Sequence, residues 1–154
     1  MYLQLYVMGI PKPKQSTRHF VSKTGTIKSY QPKDIITEAE NIKYSIQQQL
    51  PTDFIPFTNE PLYVSLSFFF PFKKTLTKKE KELIEKDKIY PKTTKPDLDN
   101  LQKLVLDAMQ GILYTNDATI YQLTSTKNYG SIPMVSIYIS TESKEETNVS
   151  DRQQ

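Results

Sequence analysis

The segment 61–70, PLYVSLSFFF, constrains the fold of this chain more than any other stretch. Apolar side chains recur there at every second residue, a period that places them on one side of an extended chain. They are Leu62, Val64, Leu66, Phe68 and Phe70. The pattern therefore predicts a strand with one core-facing side. The closing run of three phenylalanines is interpreted as core plus one aromatic ring packed under a helix, and stacking on nucleic-acid bases is the alternative.

Two further segments carry apolar residues at helical spacing. The segment after Asp97 predicts a helix that ends near Gly111, because glycine often follows a helix C-terminus. Its apolar face consists of Leu101, Leu104, Val105, Ala108 and Met109. The segment 33–50 predicts another helix, which Pro51 ends. Its apolar stripe is assigned to Ile35, Ile36, Ala39, Ile42, Tyr44, Ile46 and Leu50.

The other regular elements are predicted to be strands. Strands are expected at 2–8, 120–126 and 133–140, and a hairpin turn at 24–26. A chain of 154 residues is most naturally one domain, assigned to 1–141. The polar, acidic segment 142–154 is predicted to be a disordered tail.

Composition excludes several kinds of chemistry. The chain has no cysteine and a single histidine, His19, which rules out thiolate sites and makes histidine-rich zinc sites and a serine–histidine relay improbable. Any bound metal is therefore expected to be a hard cation held by oxygen. No apolar run approaches the roughly 20 residues that a membrane span needs, and the N-terminus lacks the pattern of a signal peptide. A cytoplasmic protein without a membrane partner is expected.

Positive charge is concentrated in two segments. Segment 73–95 holds nine lysines and four acids. It is interpreted as an insertion that is mobile without a partner and contains a short helix around 78–88, capped by Thr77. The second segment is the proline-rich loop 9–18. Both predict contacts with nucleic-acid phosphates, and an ordinary solvated surface is the alternative. The candidate DNA-binding residues are Lys12, Lys14, Arg18, Lys73, Lys74, Lys92 and Lys95.

Three carboxylates lie around the helix that follows Pro96. Asp97 and Asp99 are two residues apart, and an extended entry to the helix would point both the same way, with Asp99 at or near the N-cap. Asp117 lies past the helix end, in a loop from which it is expected to approach the pair. Carboxylates without histidine or cysteine favour Mg²⁺, which Mn²⁺ can replace. Helix capping and an ordinary ion pair between Asp99 and Lys103 are the alternatives.

The exposed side of the same helix suggests how such a site would work. A bound metal would lower the pKa of a water and stabilise charge on a phosphodiester during hydrolysis. Lys103, one turn after Asp99, would add a fixed positive charge near the scissile phosphate. Asp107 on this side is assigned to solvent. Leu106 interrupts the polar side and is interpreted as a second buried contact, such as a subunit interface.

The stretch KPDLDNLQKLVLDAMQGILYTND, from Lys95 to Asp117, resembles the core motif of the RusA family of Holliday junction resolvases. The resemblance rests on D-L-D-N-L-x-K, an amphipathic helix that ends near glycine, and a following hydrophobic-aromatic turn and acid. The order of the other predicted elements is also similar. Some members carry two adjacent acids where this chain has Asn116 and Asp117, and the lysine-rich insertion is longer than in the shortest members.

This resemblance implies a mixed α/β fold of the α+β class: one small domain with a mixed sheet packed against two main helices, and a homodimer with one active site per subunit. By position, Asp97, Asp99 and Asp117 match the metal-binding acids and Lys103 the catalytic lysine. The implied activity is Mg²⁺-dependent or Mn²⁺-dependent cleavage of opposed strands of four-way DNA, without a small-molecule cofactor, in a bacterial or phage-infected cell. A junction-binding accessory protein without catalysis and a less selective flap nuclease are the alternatives.

Overall fold

A computed structural model of the protein describes residues 1–14, 18–30, 33–86 and 90–141. Within these residues the chain is a single α+β domain, as predicted. The strands are β1 (Tyr2–Met8), β2 (Arg18–Val21), β3 (Ile27–Tyr30), β4 (Leu62–Phe70), β5 (Tyr90–Pro91), β6 (Ile120–Tyr129) and β7 (Met134–Ser140). The α-helices are α1 (Lys33–Gln49), α2 (Lys78–Glu85) and α3 (Leu98–Met109), and a 3₁₀-helix covers Asp117–Thr119. None of the described helices is both long and apolar enough to span a membrane.

The main sheet is mixed, as predicted, with five strands in the order β1-β7-β4-β6-β5. β7 runs antiparallel to both β1 and β4, whereas β4 and β6 are parallel neighbours. β5 adds only a two-residue antiparallel pairing at the end of β6. The separate hairpin of β2 and β3 turns at Gly25, whose φ of 81° lies in the left-handed region that glycine tolerates. The hairpin predicted at 24–26 is therefore confirmed.

The alternation in the segment 61–70 is confirmed in β4, at the centre of the sheet. All five predicted core residues are buried, and they face the helices. Phe69 points to the other side and is only partly buried, so the prediction that one aromatic ring lies under a helix is wrong for this residue. Its ring packs instead beside Gly130, where an added Cβ would lie 3.0 Å from Phe69 Cδ1.

Helices α1 and α3 form the layer that covers this face. All five predicted apolar residues of α3 are buried, and Gly111 follows the helix end with a φ of 87°. In α1, Ile42 and Ile46 are buried, but Ile36 and Tyr44 are exposed, contrary to the predicted stripe. Tyr44 is two residues from Ile42 and two from Ile46, so its side chain is turned by about 200° from each of them around the helix. The apolar face of α1 is therefore narrower than predicted and does not include Ile36 or Tyr44.

The short helix predicted in the lysine-rich segment is α2. Thr77 caps it as predicted, since its hydroxyl accepts a hydrogen bond from the Glu80 amide at 3.2 Å. The Glu80 carboxylate in turn accepts one from the Thr77 amide at 2.7 Å, which completes a capping box. The last part of the predicted helix and the predicted tail 142–154 lie outside the described residues.

Helix α3 runs in the opposite direction to the two parallel strands that it connects. Gln102 Oε1 accepts a hydrogen bond from Ser125 Oγ in the middle of β6 at 2.9 Å. Near the end of β6, Lys127 Nζ donates one to the Pro96 carbonyl, just before α3, at 2.7 Å. The start of α3 therefore lies beside the end of β6, and the end of α3 lies near the start of β6.

We predict that Ile46→Ala lowers the free energy of unfolding by about 2–5 kcal/mol, because Ile46 is fully buried and its truncation leaves a cavity. The matched control on the same helix is Ile36→Ala, which should change the free energy by less than about 0.5 kcal/mol because Ile36 is exposed. Urea unfolding followed by circular dichroism measures both. Equal losses for the two variants would contradict this assignment of the α1 face.

Candidate active site

The entry to α3 is held by a lysine from the neighbouring strand. Lys127 Nζ donates hydrogen bonds to the carbonyl oxygens of Thr94 and Pro96, at 2.6 and 2.7 Å. The backbone amide of Lys92 also donates to the Lys127 carbonyl at 2.9 Å. Charge-assisted hydrogen bonds of this kind are stronger than neutral ones. The segment that leads to Asp97 is therefore fixed to the sheet.

Asp97 is the N-cap residue of α3, with an extended backbone at φ −69° and ψ 138°. Its side chain makes no capping hydrogen bond, which leaves the carboxylate available at the positive end of the helix dipole. Asp99 lies in the first helical turn, two residues after the N-cap, so its predicted position near the N-cap is confirmed, but the predicted extended segment that would hold both acids is wrong. The reason for this correction is that the helix already begins at Leu98, so Asp97 and Asp99 do not share an extended segment.

Lys103 lies beside Asp99 on the exposed side of α3, as predicted. The distance from Lys103 Nζ to Asp99 Oδ2 is 4.0 Å, and both side chains are more than 60 % exposed. An exposed pair at this spacing contributes only a few tenths of a kcal/mol, about 0.3. Lys103 can therefore leave Asp99 for a phosphate at little cost in free energy.

Asp117 lies near the other end of α3. It opens the 3₁₀-helix, whose N-cap Asn116 accepts a hydrogen bond from the Ala118 amide at 2.9 Å. The nearby Tyr114 is fully buried and donates a hydrogen bond from its hydroxyl to the Leu106 carbonyl at 2.7 Å. Burial raises the pKa of Tyr114, and the negative charges of Asp117 and Asp107 raise it further. Asp117 is thus a neighbour of Tyr114, at the end of α3 far from Asp97.

A single chain does not gather the three predicted metal ligands. Asp97, Asp99 and Asp117 all belong to the described residues, among which no three acidic or histidine side chains are grouped closely enough to hold one metal ion. The expected approach of Asp117 to the pair is therefore absent within one chain. Asp117 is separated from the pair because α3 runs antiparallel to β6, which places the start of the helix far from the start of β6. Within the described residues of one chain, Asp97 and Asp99 are therefore the two predicted ligands at the start of α3, and metal binding by them stays a prediction.

The two lysines of loop 9–14 are paired with acids. Lys12 Nζ lies 3.7 Å from Glu38 Oε2, and Lys14 forms an ion pair with Asp107. The Lys14 amide also donates to the Asn100 carbonyl at 2.9 Å, which fixes the loop against α3. Asp107 is exposed as predicted but has this basic partner. The predicted phosphate contacts of both lysines stay predictions.

A second group of predicted DNA-binding lysines surrounds Tyr129. Lys92 Nζ lies 5.2 and 5.0 Å from the ring centroids of Phe70 and Tyr129, and Lys73 Nζ lies 5.5 Å from that of Tyr129. Burial acts to raise the pKa of Tyr129, but hydrogen bonds from Thr94 and Lys92 and the two ammonium charges lower it overall. The aromatic rings therefore hold both ammonium groups on one side of the α3 entry.

The remaining predicted residues are less constrained. Lys74 and Lys95 are exposed, and Arg18 begins β2 rather than ending a loop. Leu106 is half-buried against the core of its own chain, and the subunit contact predicted for it stays a prediction. The sequence reasoning missed Lys127. A signal was present, because Lys127 is the single charged residue of β6.

Comparison with known proteins identifies the family. The model of the family described as endodeoxyribonuclease RusA matches residues 11–140. This chain belongs to the RusA family. The chain is also similar to the uncharacterized protein YqaN of Bacillus subtilis (strain 168), with 36% identity over 81 residues, which cover 51% of this chain. The match spans 56% of that relative's length. Asp97, Asp99, Lys103 and Asp117 all lie inside the region that the RusA model matches.

We predict that Lys127→Met lowers the free energy of unfolding by about 2 kcal/mol, because two carbonyl groups lose a charged donor. Thermal unfolding followed by calorimetry measures the change. The control is Lys95→Met in the same segment, where the exposed side chain should contribute less than about 0.5 kcal/mol. An equal loss of unfolding free energy in Lys95→Met would contradict the stabilising role assigned to Lys127.

Tyr114 predicts a dependence of stability on alkaline pH. Its pKa is raised in the folded state, so the folded chain holds this proton more tightly than the unfolded chain does. The resulting stability is complete below the unfolded pKa of about 10 and is lost as the pH rises from there toward the folded pKa. Tyr114→Phe removes this contribution. The difference in unfolding free energy between wild type and variant should therefore shrink above about pH 10, and a constant difference would contradict the prediction.

Proposed function

We propose that this protein is a structure-selective DNA endonuclease that cuts four-way junctions with Mg²⁺ or Mn²⁺. The observation that supports it best is the α3 entry of a RusA-family chain: an N-cap carboxylate without a capping bond, a second carboxylate in the first helical turn, and a lysine 4.0 Å from the second carboxylate. These residues are Asp97, Asp99 and Lys103. Branched DNA is the proposed partner.

The chemistry follows from the charges at this entry. A hard cation, when bound, lowers the pKa of a coordinated water and stabilises the charge that develops on the phosphate. Asp97 and Asp99 supply oxygen ligands of the kind such a cation prefers. Lys103 supplies a positive charge. Its ion pair with Asp99 is weak, so its ammonium group can contact the scissile phosphate or the leaving oxygen instead.

The surrounding lysines form a surface that can bind the DNA backbone. Lys73 and Lys92 are held over aromatic rings beside the segment that leads to Asp97, and the exposed Lys74 and Lys95 lie close to them along the chain. Holding an ammonium group in place before binding reduces the entropy lost when it meets a phosphate. Affinity for DNA should therefore fall steeply as salt concentration rises.

A labelled synthetic four-way junction, compared with a flap and a linear duplex of the same sequence, tests this function. Wild type should nick opposed strands of the junction only with Mg²⁺ or Mn²⁺, and Asp99→Asn should bind the junction but cut at least about 100-fold more slowly, because a metal ligand is lost. Tight junction binding without cleavage would instead indicate an accessory protein. Equal cleavage of all three substrates would indicate a less selective nuclease.

We predict that Lys103→Ala reduces cleavage by about 100-fold or more while junction affinity stays within about threefold, because the charge acts on the reacting phosphate. Lys43→Ala is the control: Lys43 also pairs with an acid on a helix, Glu40 at 3.4 Å, but on α1. It should change neither quantity. A large loss of affinity in Lys103→Ala would make Lys103 a binding residue.

A further inference from the structure

Lys127 occupies a position in β6 where an apolar side chain would suit the packing. Its backbone is paired with Phe68 of the parallel strand β4, and Phe68 is fully buried on the side of the sheet that faces the helices. Paired residues of neighbouring strands point to the same side of a sheet, so the Lys127 side chain also points to the helix layer. It is half-buried there. Taking an ammonium group out of water costs free energy unless it finds acceptors, so the contacts of this group explain its presence.

The acceptors of the Lys127 ammonium group are backbone oxygens just before α3. Its Nζ donates to the carbonyl oxygens of Thr94 and Pro96, at 2.6 and 2.7 Å. Among the residues that the structure describes, no carboxylate forms an ion pair with it. Lys127 is therefore a link between the sheet and the segment before Asp97, and it is not one half of an ion pair.

The backbone of Asp97 is held on both sides. The Pro96 carbonyl belongs to the peptide group that ends at the Asp97 nitrogen, and because that group is planar, a donor on its oxygen restricts the whole plane. On the other side, the Asp97 carbonyl accepts a hydrogen bond from the Leu101 amide at 3.2 Å. The Asp97 Cα lies between these two restrained peptide groups. Its carboxylate, which makes no capping hydrogen bond, therefore moves mainly by rotation of its own side chain.

A second lysine holds the same segment farther from the acid. Lys92 Nζ donates to the Thr94 hydroxyl oxygen at 2.7 Å, and the Lys92 amide donates to the Lys127 carbonyl at 2.9 Å. The segment 92–96 is thus bound to β6 at both ends. The Pro96 end is the one next to an acid, and there the Lys127 side chain makes the contact.

We propose that Lys127 is a positioning residue for metal binding: by holding the Pro96 carbonyl, it presents the Asp97 carboxylate in the orientation that a hard cation needs. This inference rests on the proposed function, since it takes Asp97 as a metal ligand. Ligands that are held in place before binding lose less conformational freedom when the metal arrives. Loss of a group that orients a metal ligand typically lowers metal affinity by about 10-fold to 100-fold.

The charge of Lys127 by itself would have the opposite effect on metal affinity. An ammonium group near a cation site repels the cation, so removing the charge alone should strengthen metal binding. Removing the hydrogen bonds that hold the Pro96 carbonyl should weaken it. Positioning dominates because Asp97 is exposed, and water weakens a repulsion that acts through it. The sign of the change in affinity therefore distinguishes the two effects.

Mn²⁺ binding to the full chain without DNA, followed by electron paramagnetic resonance, tests the proposal. Lys127→Met should bind Mn²⁺ about 10-fold to 100-fold more weakly than wild type. Lys127→Arg should recover most of the affinity, because a guanidinium group can also donate to two carbonyl oxygens. Loss of the signal in Asp97→Asn assigns the bound Mn²⁺ to the start of α3.

The matched control for lost stability is Ile46→Ala, which removes a fully buried side chain of α1. It should bind Mn²⁺ as wild type does, at a temperature where all variants are folded. A readout without metal is the Leu101 amide, which donates to the Asp97 carbonyl. Its hydrogen exchange, followed by nuclear magnetic resonance, should be about tenfold faster in Lys127→Met and unchanged in Ile46→Ala, because the start of a helix opens locally.

The outcomes separate the positioning role from the proposed function. Unchanged or tighter Mn²⁺ binding by Lys127→Met would overturn the positioning role and leave the nuclease proposal intact. Equal weakening in Ile46→Ala would show a general effect of stability and would also overturn it. Weaker Mn²⁺ binding in Lys127→Met, together with a wild type that binds Mn²⁺ but cuts no junction, would keep the positioning role and overturn the nuclease. A wild type that binds no Mn²⁺ at Asp97 would overturn both.

Discussion

The run of α3 between two parallel neighbouring strands is the constraint on which the rest of the structure depends. Because β4 and β6 point the same way, the helix that connects them must return across the sheet, and its two ends lie at opposite margins. For 12 residues this separation is about 18 Å. The apolar face of α3 fixes the helix on the sheet, and Lys127 fixes its entry. The positions of Asp97, Asp99, Lys103 and Asp117 follow from this arrangement.

Charge is arranged around α3 so that the acids are accompanied by cations without being neutralised. Lys14 is held by Asp107, and Lys73 and Lys92 are held by aromatic rings and by Glu80 and Thr94. Asp97 and Asp99 keep exposed carboxylates at the helix start. A phosphate backbone attracted by the lysines would therefore approach the start of α3, where the carboxylates of Asp97 and Asp99 are available to bind a metal ion. Pairing the lysines within the protein fixes their positions before any phosphate binds.

Local patterns in the sequence predicted the elements well, because period and capping are properties of neighbouring residues. The β4 alternation, the five buried residues of α3 and the Thr77 cap follow from such patterns. Ile36 and Tyr44 lie outside the core face of α1, because a rotation of about 100° per residue turns both side chains away from Ile42 and Ile46. The relation between Asp117 and the acid pair depends on the direction of α3 relative to β6, which no local pattern contains. Lys127 is a long-range contact of the same kind, although a lone lysine in an uncharged strand was a usable signal.

The structure also explains why a motif that reads as one unit along the chain is divided in space. From Lys95 to Asp117 the chain spans a whole crossover, so sequence proximity of its acids does not make a site. A crystal structure with Mn²⁺, located by its anomalous scattering, tests the candidate site most directly. We expect Mn²⁺ beside Asp97 and Asp99 at the start of α3. Mn²⁺ bound elsewhere, with none at the start of α3, would contradict this account.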